Sequence, residues 1–427
     1  MSTYQIIEVV LGSKAGYCPI GGAADLWRCK DHEVVVAGPA ETGKTFGCLQ
    51  KLDGLAWKYP GLQAAIVRLT YKSMVGSVLQ TYTSKVLGKN TPVKIYGGQK
   101  PEWFDYPNGS RVWLGGMDNP DKVLSSERDV IYVNQAEELI LDDWQTLATR
   151  CTGRAGNMPY PQLMGDCNPG PMHHWILERA KTGNLTLLKS EHKDNPALYD
   201  IATGLWTEQG LRTMAILDGL TGPLKARLKD GKWVSAEGVV YEDFDYSVHV
   251  KEHPGPFKYY VAALDEGYTN PAVILVAGVD NDDRLHLVEE FYRRRMLQGD
   301  VVAEAGRLCA RYGIESLFAD PSAAGLIADM QAAGLPAMPA NNDVAQGIQA
   351  VKARLALSGD GRPRLTIDPS CTNTITEFES YIWKAGRHGL KDEPEKVNDH
   401  SLDALRYLIL ELDGGYHGSL LLWGSDG

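Results

Sequence analysis

The first regular pattern in the chain is a wholly apolar run, Val34-Val35-Val36-Ala37, then eight glycine-rich and polar residues, then helical spacing to about Lys58. A short continuous apolar run bounded by turn residues reads as a strand buried on both faces. Pro60-Gly61 breaks the helix, and Gln63-Ala64-Ala65-Ile66-Val67-Arg68 is the next strand. Strand, helix and strand in this order imply parallel pairing with a helical crossover. Trp103-Phe104-Asp105-Tyr106 and Ser110-Arg111-Val112-Trp113-Leu114 flank Pro107-Asn108-Gly109, a hairpin signal. Asp129 to Val133 and Gln162 to Cys167 are two more short strands. Residues Leu211 to Lys232 are polar with helical spacing, and the pattern changes near Trp233.

Beyond that point three strands follow one another: Tyr259 to Asp265, Pro271 to Gly278 and Leu285 to Phe291, with Asp280-Asn281-Asp282-Asp283 as a turn. They predict an antiparallel meander. A helix from Val301 to Tyr312, a strand Ser316 to Ala319 ending at Asp320, and a helix starting near Asp399 complete it. The whole is an α/β chain with a boundary near Gly231 to Tyr241. It divides into residues 1–234, with a mostly parallel sheet, residues 235–414, and a tail, 415–427.

Composition narrows the classes. A length of 427 residues suits two to three domains, and 44% hydrophobic residues supply large cores. No apolar run approaches the roughly 18 residues of a membrane span. The first residues show no basic segment leading into an apolar core, so no signal peptide is expected. Seven scattered cysteines without a CxxC pair argue for reduced thiols, not disulfides or a zinc site. The formal charge of −11 is awkward for a DNA-binding protein, although local patches outweigh the total. Arg293-Arg294-Arg295 is one such patch, or else a solvated face.

The chemistry begins at Gly38-Pro39-Ala40-Glu41-Thr42-Gly43-Lys44-Thr45, a complete phosphate-binding loop between strand and helix. Its amides converge on a phosphate, Lys44 reaches the β/γ phosphates, and the Thr45 hydroxyl ligates Mg²⁺. Tyr17 and Trp27 could stack near an adenine, though ordinary packing explains them as well. A phosphate-loop ATPase ends its next core strand with an acid for the magnesium shell and a water-orienting acid. Here those positions hold Asn134 and Gln135, with Glu137 and Glu138 behind them. Gln135 can position a water but cannot take its proton, so Glu138 or Glu137 is expected to supply the carboxylate. Asn168, at the end of the Gln162 strand, is the candidate γ-phosphate sensor. His173 and His174 are read as structural, because adjacent helical residues point apart.

In the second half, Asp265 and Asp320 end strands and Asp403 lies on the last helix with His400 on the same face. Clustered carboxylates repel one another unless they bind cations. Two divalent ions about 3.5–4 Å apart can clamp both oxygens of a phosphodiester displacement. Oxygen-only ligands suit Mg²⁺ or Mn²⁺. Asp399 is read as the cap of that helix.

Together these motifs resemble the large terminase subunit of tailed bacteriophages over nearly the whole chain. The match rests on GPAETGKT, VIYVNQAEEL and DCNPGPMHHW, on the linker RLKDGKWVSAEGVVYEDFD, and on AALDEGYTNPAV, FADPSAAG and NDHSLDALRY. The resemblance implies a phosphate-loop ATPase domain followed by a ribonuclease-H-like nuclease domain. It implies ATP and Mg²⁺ at Lys44 and Thr45, and nuclease metals, Mg²⁺ or alternatively Mn²⁺, on Asp265, Asp320 and Asp403 with His400 beside them. It further implies double-stranded DNA, a procapsid portal and a small terminase subunit as partners, and a monomer that forms a ring on the portal. The setting it implies is the host cytoplasm. Relatives also use an arginine from the same or a neighbouring subunit, for which Arg128, Arg150 and Arg154 are candidates. Asn134-Gln135 departs from the acids of many relatives. Rival readings are a nucleic-acid translocase without nuclease activity and a nucleotide-binding protein with a dead ATPase.

Overall fold

The computed structural model describes residues 17–98, 100–120, 125–220, 222–236, 238–386 and 389–414. The predicted tail 415–427, the first sixteen residues and Glu237 lie outside the described residues. The chain forms two compact units, Met1–Val234 and Ser235–Gly427. No helix among the described residues is long and apolar enough to cross a membrane.

The first unit is built on an eight-stranded sheet. Its strands are β1 (Glu33–Ala37), β2 (Gln63–Arg68), β3 (Lys94–Tyr96), β4 (Trp103–Asp105), β5 (Arg111–Gly116), β6 (Val130–Val133), β7 (Gln162–Cys167) and β8 (Thr186–Lys189). The spatial order is β3-β4-β5-β2-β6-β7-β1-β8. The run from β5 to β8 is parallel, and β4 pairs antiparallel with β3 and β5. The Asn108-Gly109 turn therefore closes a β4–β5 hairpin, with Gly109 at φ 85°. All five residues of β1 are buried, which is why it carries no alternation. One face of the sheet packs Val34, Val36, Ile66 and Tyr132 against Leu49 and Leu52 of α2 (Lys44–Lys58). The other packs Val35, Val67 and Ile131 against Trp144 and Leu147 of α3 (Leu141–Arg150) and Trp175 and Ile176 of α4 (Trp175–Lys181).

The second unit has a six-stranded sheet of order β15-β14-β11-β12-β13-β16, after a short ribbon of β9 (Tyr199–Asp200) and β10 (Leu205–Trp206) in the first unit. Here β11 is Tyr259–Asp265, β12 Ala272–Val279, β13 Leu285–Arg293, β14 Ile314–Ala319, β15 Ala337–Pro339 and β16 Leu365–Ile367. The three-strand meander is present, antiparallel throughout. Strand β14 returns parallel to β11 through α5 (Gln298–Tyr312). Ala262, Leu264, Ile274 and Val276 bury one face against α5 and α6 (Ala324–Ala332). The last helix, α7 (His400–Asp413), packs on the opposite face, against β11, β12 and β14. Residues alternate across a strand, so Asp265 shares the α7 side with Val261 and Ala263.

Candidate functional site

In the first unit, parallel strands bring their carboxyl ends to one edge, where open α/β sheets bind ligands. The loop after β1 lies there. Gly43 stands at φ 84°, open to glycine at little cost, and a Cβ on Gly38 would sit 2.2 Å from the Ser190 carbonyl oxygen. The Lys44 ammonium donates to the carbonyls of Gly38 (2.8 Å) and Pro39 (2.6 Å) and to Asn168 Oδ1 (3.3 Å). Burial holds it below the usual lysine range, against the pull of Asp166. A cleft of about 700 Å³ opens beside the loop, lined among others by Tyr17, Lys44, Thr45, Arg68, Gln135 and Asn168. Tyr17 reaches it from the lead-in, edge-on to Phe46 at 5.2 Å.

Asp166 on β7 was not singled out in the sequence. It takes the hydrogen bond of the Thr45 hydroxyl, the Asn134 amide on both oxygens (3.1 and 3.3 Å) and the Gln135 backbone N–H (2.9 Å). It is 2% exposed. The end of β6 has no carboxylate, but the neighbouring strand places one beside the Thr45 hydroxyl. Gln135 is held at φ 55°, a left-handed conformation that costs a non-glycine residue about 1 kcal/mol. Its side-chain carbonyl is buried without a hydrogen bond.

The two following acids take different roles. Glu138 forms an ion pair with Arg68, Oε1 to the guanidinium at 3.2 Å. Glu137 accepts the backbone and side-chain N–H groups of Asn168 at 3.0 and 3.1 Å. Burial pushes Glu137 up to about 8, with Asp166 adding to the effect and the Asn168 amide and Lys44 opposing it. Asn168 therefore joins Lys44 to Glu137. His174 is structural: it caps α4 through the Ile176 N–H, and burial pushes it down to about 4.

The three candidate arginines lie away from the phosphate loop of their own chain. Arg128 lies just before β6 and pairs with Cys151, Arg150 ends α3, and Arg154 pairs with Glu127. All three are at the amino-terminal edge of the parallel strands, opposite the phosphate loop of their own chain. The arginine lining the cleft is Arg68, at the carboxyl end of β2.

In the second unit, Asp265 and Asp320 do come to one end of the sheet, because β11 and β14 are parallel and Leu264 pairs with Ala319. The first turns of α7 lie over them. His400 Nδ1 meets Asp265 Oδ2 at 2.9 Å, the Tyr407 hydroxyl donates to Asp320 at 2.8 Å, and Arg406 donates to Asp403 at 2.5 Å. Burial pushes Asp403 up to about 7, and Asp399 and Asp265 add to it while Arg406 opposes. Burial also raises Asp265, with Asp399 and Asp320 contributing. Burial acts to lower His400, but the Asp265 carboxylate outweighs it and raises the imidazole. Burial acts to raise Asp320, yet bonds from Ser322 and Tyr407 hold it below the usual carboxylate range.

Asp399 is not a side-chain cap. It occupies the position before α7 but makes no capping bond. The buried carboxylate of Glu377 does that work, accepting the Leu402 N–H at 3.1 Å. Asp399, 6% exposed, instead adds its charge to the field on Asp265 and Asp403. The Arg293-Arg294-Arg295 run lies at the same sheet end as Asp265, since β12 begins where β11 ends and Ala272 pairs with Arg293.

No family model and no curated relative matches the chain. Among solved structures it is similar to the large terminase of a thermophilic bacteriophage in complex with ADP. That match has 21% identity, a TM-score of 0.43, and coverage of 92% of this chain and 98% of the other. The large terminase of bacteriophage HK97 aligns with 12% identity, a TM-score of 0.43, and coverage of 90% and 91%. The nuclease domain of the large terminase of bacteriophage SPP1, with bound Mn, aligns with 17% identity and a TM-score of 0.33 over 41% of this chain and 99% of the other.

Proposed function

We propose that the chain is a large terminase subunit that couples ATP hydrolysis to movement of double-stranded DNA into a procapsid and cuts concatemeric DNA. The observation that carries this reading is the presence on one chain of two chemically distinct sites. One is the phosphate loop with its Thr45–Asp166 pair, and the other is the carboxylate cluster of Asp265, Asp320 and Asp403.

In the first, Gly38 to Thr45 would cradle the triphosphate, with Lys44 moving from its own loop carbonyls to the β/γ phosphates. Thr45 and Asp166 fit a magnesium shell, because a hydroxyl and a buried carboxylate already meet there. Gln135 and Asn168 would orient water and γ-phosphate, and the near-neutral pKa of Glu137 suits a base acting through Asn168 or a water. In the second, the oxygen-only donor set and the raised Asp403 fit divalent ions, Mg²⁺ or Mn²⁺. Such ions polarise a phosphodiester and activate water. His400, fixed by Asp265, would hold positive charge beside the phosphate backbone. The arginine run would steer the duplex to the same edge. The partners of this reading are the portal and a small terminase subunit, with a ring assembled on the portal in the host cytoplasm.

The test is a pair of variants of the full chain, assayed side by side. Lys44→Ala should abolish ATP turnover and leave Mn²⁺-dependent plasmid cutting intact, while Asp265→Asn should do the reverse. Wild-type protein that hydrolyses ATP but cuts no DNA would favour a translocase without nuclease activity. Cutting without turnover would favour the dead ATPase.

A further inference from the structure

At the far end of the second sheet, about 20 Å along β11 from Asp265, lies a second cluster of ligating side chains. His286 is the second residue of β13, Asp280 follows β12 in the turn between them, and His253 lies on the segment leading into β11. One nitrogen from each histidine and one oxygen from Asp280 all lie within 4.8 Å of one another. Among the described residues this is the group of three so placed. We propose that these residues bind a borderline transition-metal ion, zinc by preference, at a site separate from the acidic cluster.

The local geometry is arranged for it. Asp280 Oδ1 accepts the backbone N–H groups of Asp282 (2.8 Å) and Arg284 (2.9 Å), which fixes the carboxylate. Its Oδ2 is left facing His286 Nε2 at 3.1 Å. Two ligands on a tetrahedral zinc with bonds of about 2.0–2.1 Å stand about 3.3 Å apart, close to that separation. The opposite nitrogen of His286, Nδ1, meets Thr366 Oγ1 at 2.6 Å across the β13–β16 pairing. An outer partner of this kind fixes ring orientation in metal sites. The His253 ring stacks on His286 with centroids 3.7 Å apart. A histidine–aspartate hydrogen bond alone accounts for Asp280 and His286; His253 also accepts the Gly255 N–H at 3.3 Å and packs on Phe257, yet still places a ring nitrogen within reach of both. Two imidazoles and one carboxylate suit Zn²⁺ or Co²⁺ over Mg²⁺. Bound metal would clasp the segment 251–258 to the β12–β13 turn, upstream of the strand that carries Asp265.

The experiment uses the full chain carrying Asp403→Asn, so that the acidic cluster is disabled, stripped with chelator and titrated with Co²⁺ and then Zn²⁺. The expected result is one equivalent of Co²⁺ with visible d–d absorption, displaced by Zn²⁺, and a thermal midpoint raised by Zn²⁺. His253→Gln and Asp280→Asn should each abolish the absorption and the thermal shift while circular dichroism stays unchanged. The proposal is overturned by binding weaker than about 10 µM. It is equally overturned by Co²⁺ spectra that survive both substitutions.

Discussion

Asp166→Asn removes one charge at constant volume. The carboxylate accepts the Thr45 hydroxyl, the Asn134 amide and the Gln135 backbone N–H. A hydrogen bond to a charged group contributes about 1.5–3 kcal/mol, against about 1 kcal/mol for a neutral one. The new amide also turns its own donors toward that of Asn134, leaving a buried donor unmatched at about 1–3 kcal/mol. Folding stability should therefore fall by about 2–4 kcal/mol. Turnover should fall by about 10²–10³-fold, or about 3–4 kcal/mol in the barrier, typical for loss of one preorganised electrostatic group. Phosphate release at saturating ATP, titrated with Mg²⁺, reads both the rate and the magnesium dependence. Asn134→Asp placed in the Asp166→Asn background moves the acid to the end of β6 and should recover part of the activity. A folded Asp166→Asn protein that turns over within about threefold of wild type, with unchanged Mg²⁺ dependence, would refute the assignment.

Three further outcomes are expected. Asp265→Asn, Asp320→Asn and Asp403→Asn should each lose plasmid cutting with ATP turnover retained, and Asp399→Asn should also cut at least about 10-fold more slowly, because its charge faces the cluster; normal cutting by Asp399→Asn would return it to a passive position. Glu137 titrates near 8 in the fold against an ordinary 4.5, so its ionisation opposes folding increasingly as pH rises through that window and not below it. The denaturant midpoint of Glu137→Gln relative to wild type should thus climb from pH 5 to pH 8 and level off above, and a flat difference would contradict the shift. A fragment of residues 235–427 should fold by itself and cut DNA with Mn²⁺ without ATPase activity; a folded fragment that binds no Mn²⁺ would count against it.

Much of this was legible in the chain. The phosphate loop, the β4–β5 hairpin, the meander and the two strand-end acids follow from local patterns, because buried parallel strands and tight turns leave signatures in short windows. Asp166 did not stand out, since it lies inside a strand buried at every position and meets Thr45 from 121 residues away. Only the order β6-β7-β1 brings them together. Asp399 was misread for a related reason. A cap is inferred from neighbours in sequence, but the group that caps α7 is Glu377, on another helix. The edge on which the candidate arginines lie was not legible either, because sequence does not say which edge of a sheet a flanking residue occupies.

The contacts around Asn168 extend past the nucleotide cleft. Lys44 bonds Asn168, Asn168 bonds Glu137, and the Glu137 carbonyl lies 3.3 Å from His174, whose ring packs 5.7 Å from Trp233. In parallel, the Ala40 N–H donates to the Leu228 carbonyl, and the Val234 N–H to that of Gly170. The strap leaving this unit is therefore braced against the loop that would grip phosphate. Energetic coupling between two such points is reciprocal. If γ-phosphate shifts Lys44 and so alters tension at residue 234, then force applied at residue 234 alters affinity for nucleotide by the same free energy. Trp233, 5.7 Å from the His174 ring, stands at the end of that chain of contacts, so its emission should change on nucleotide binding if the two points are coupled.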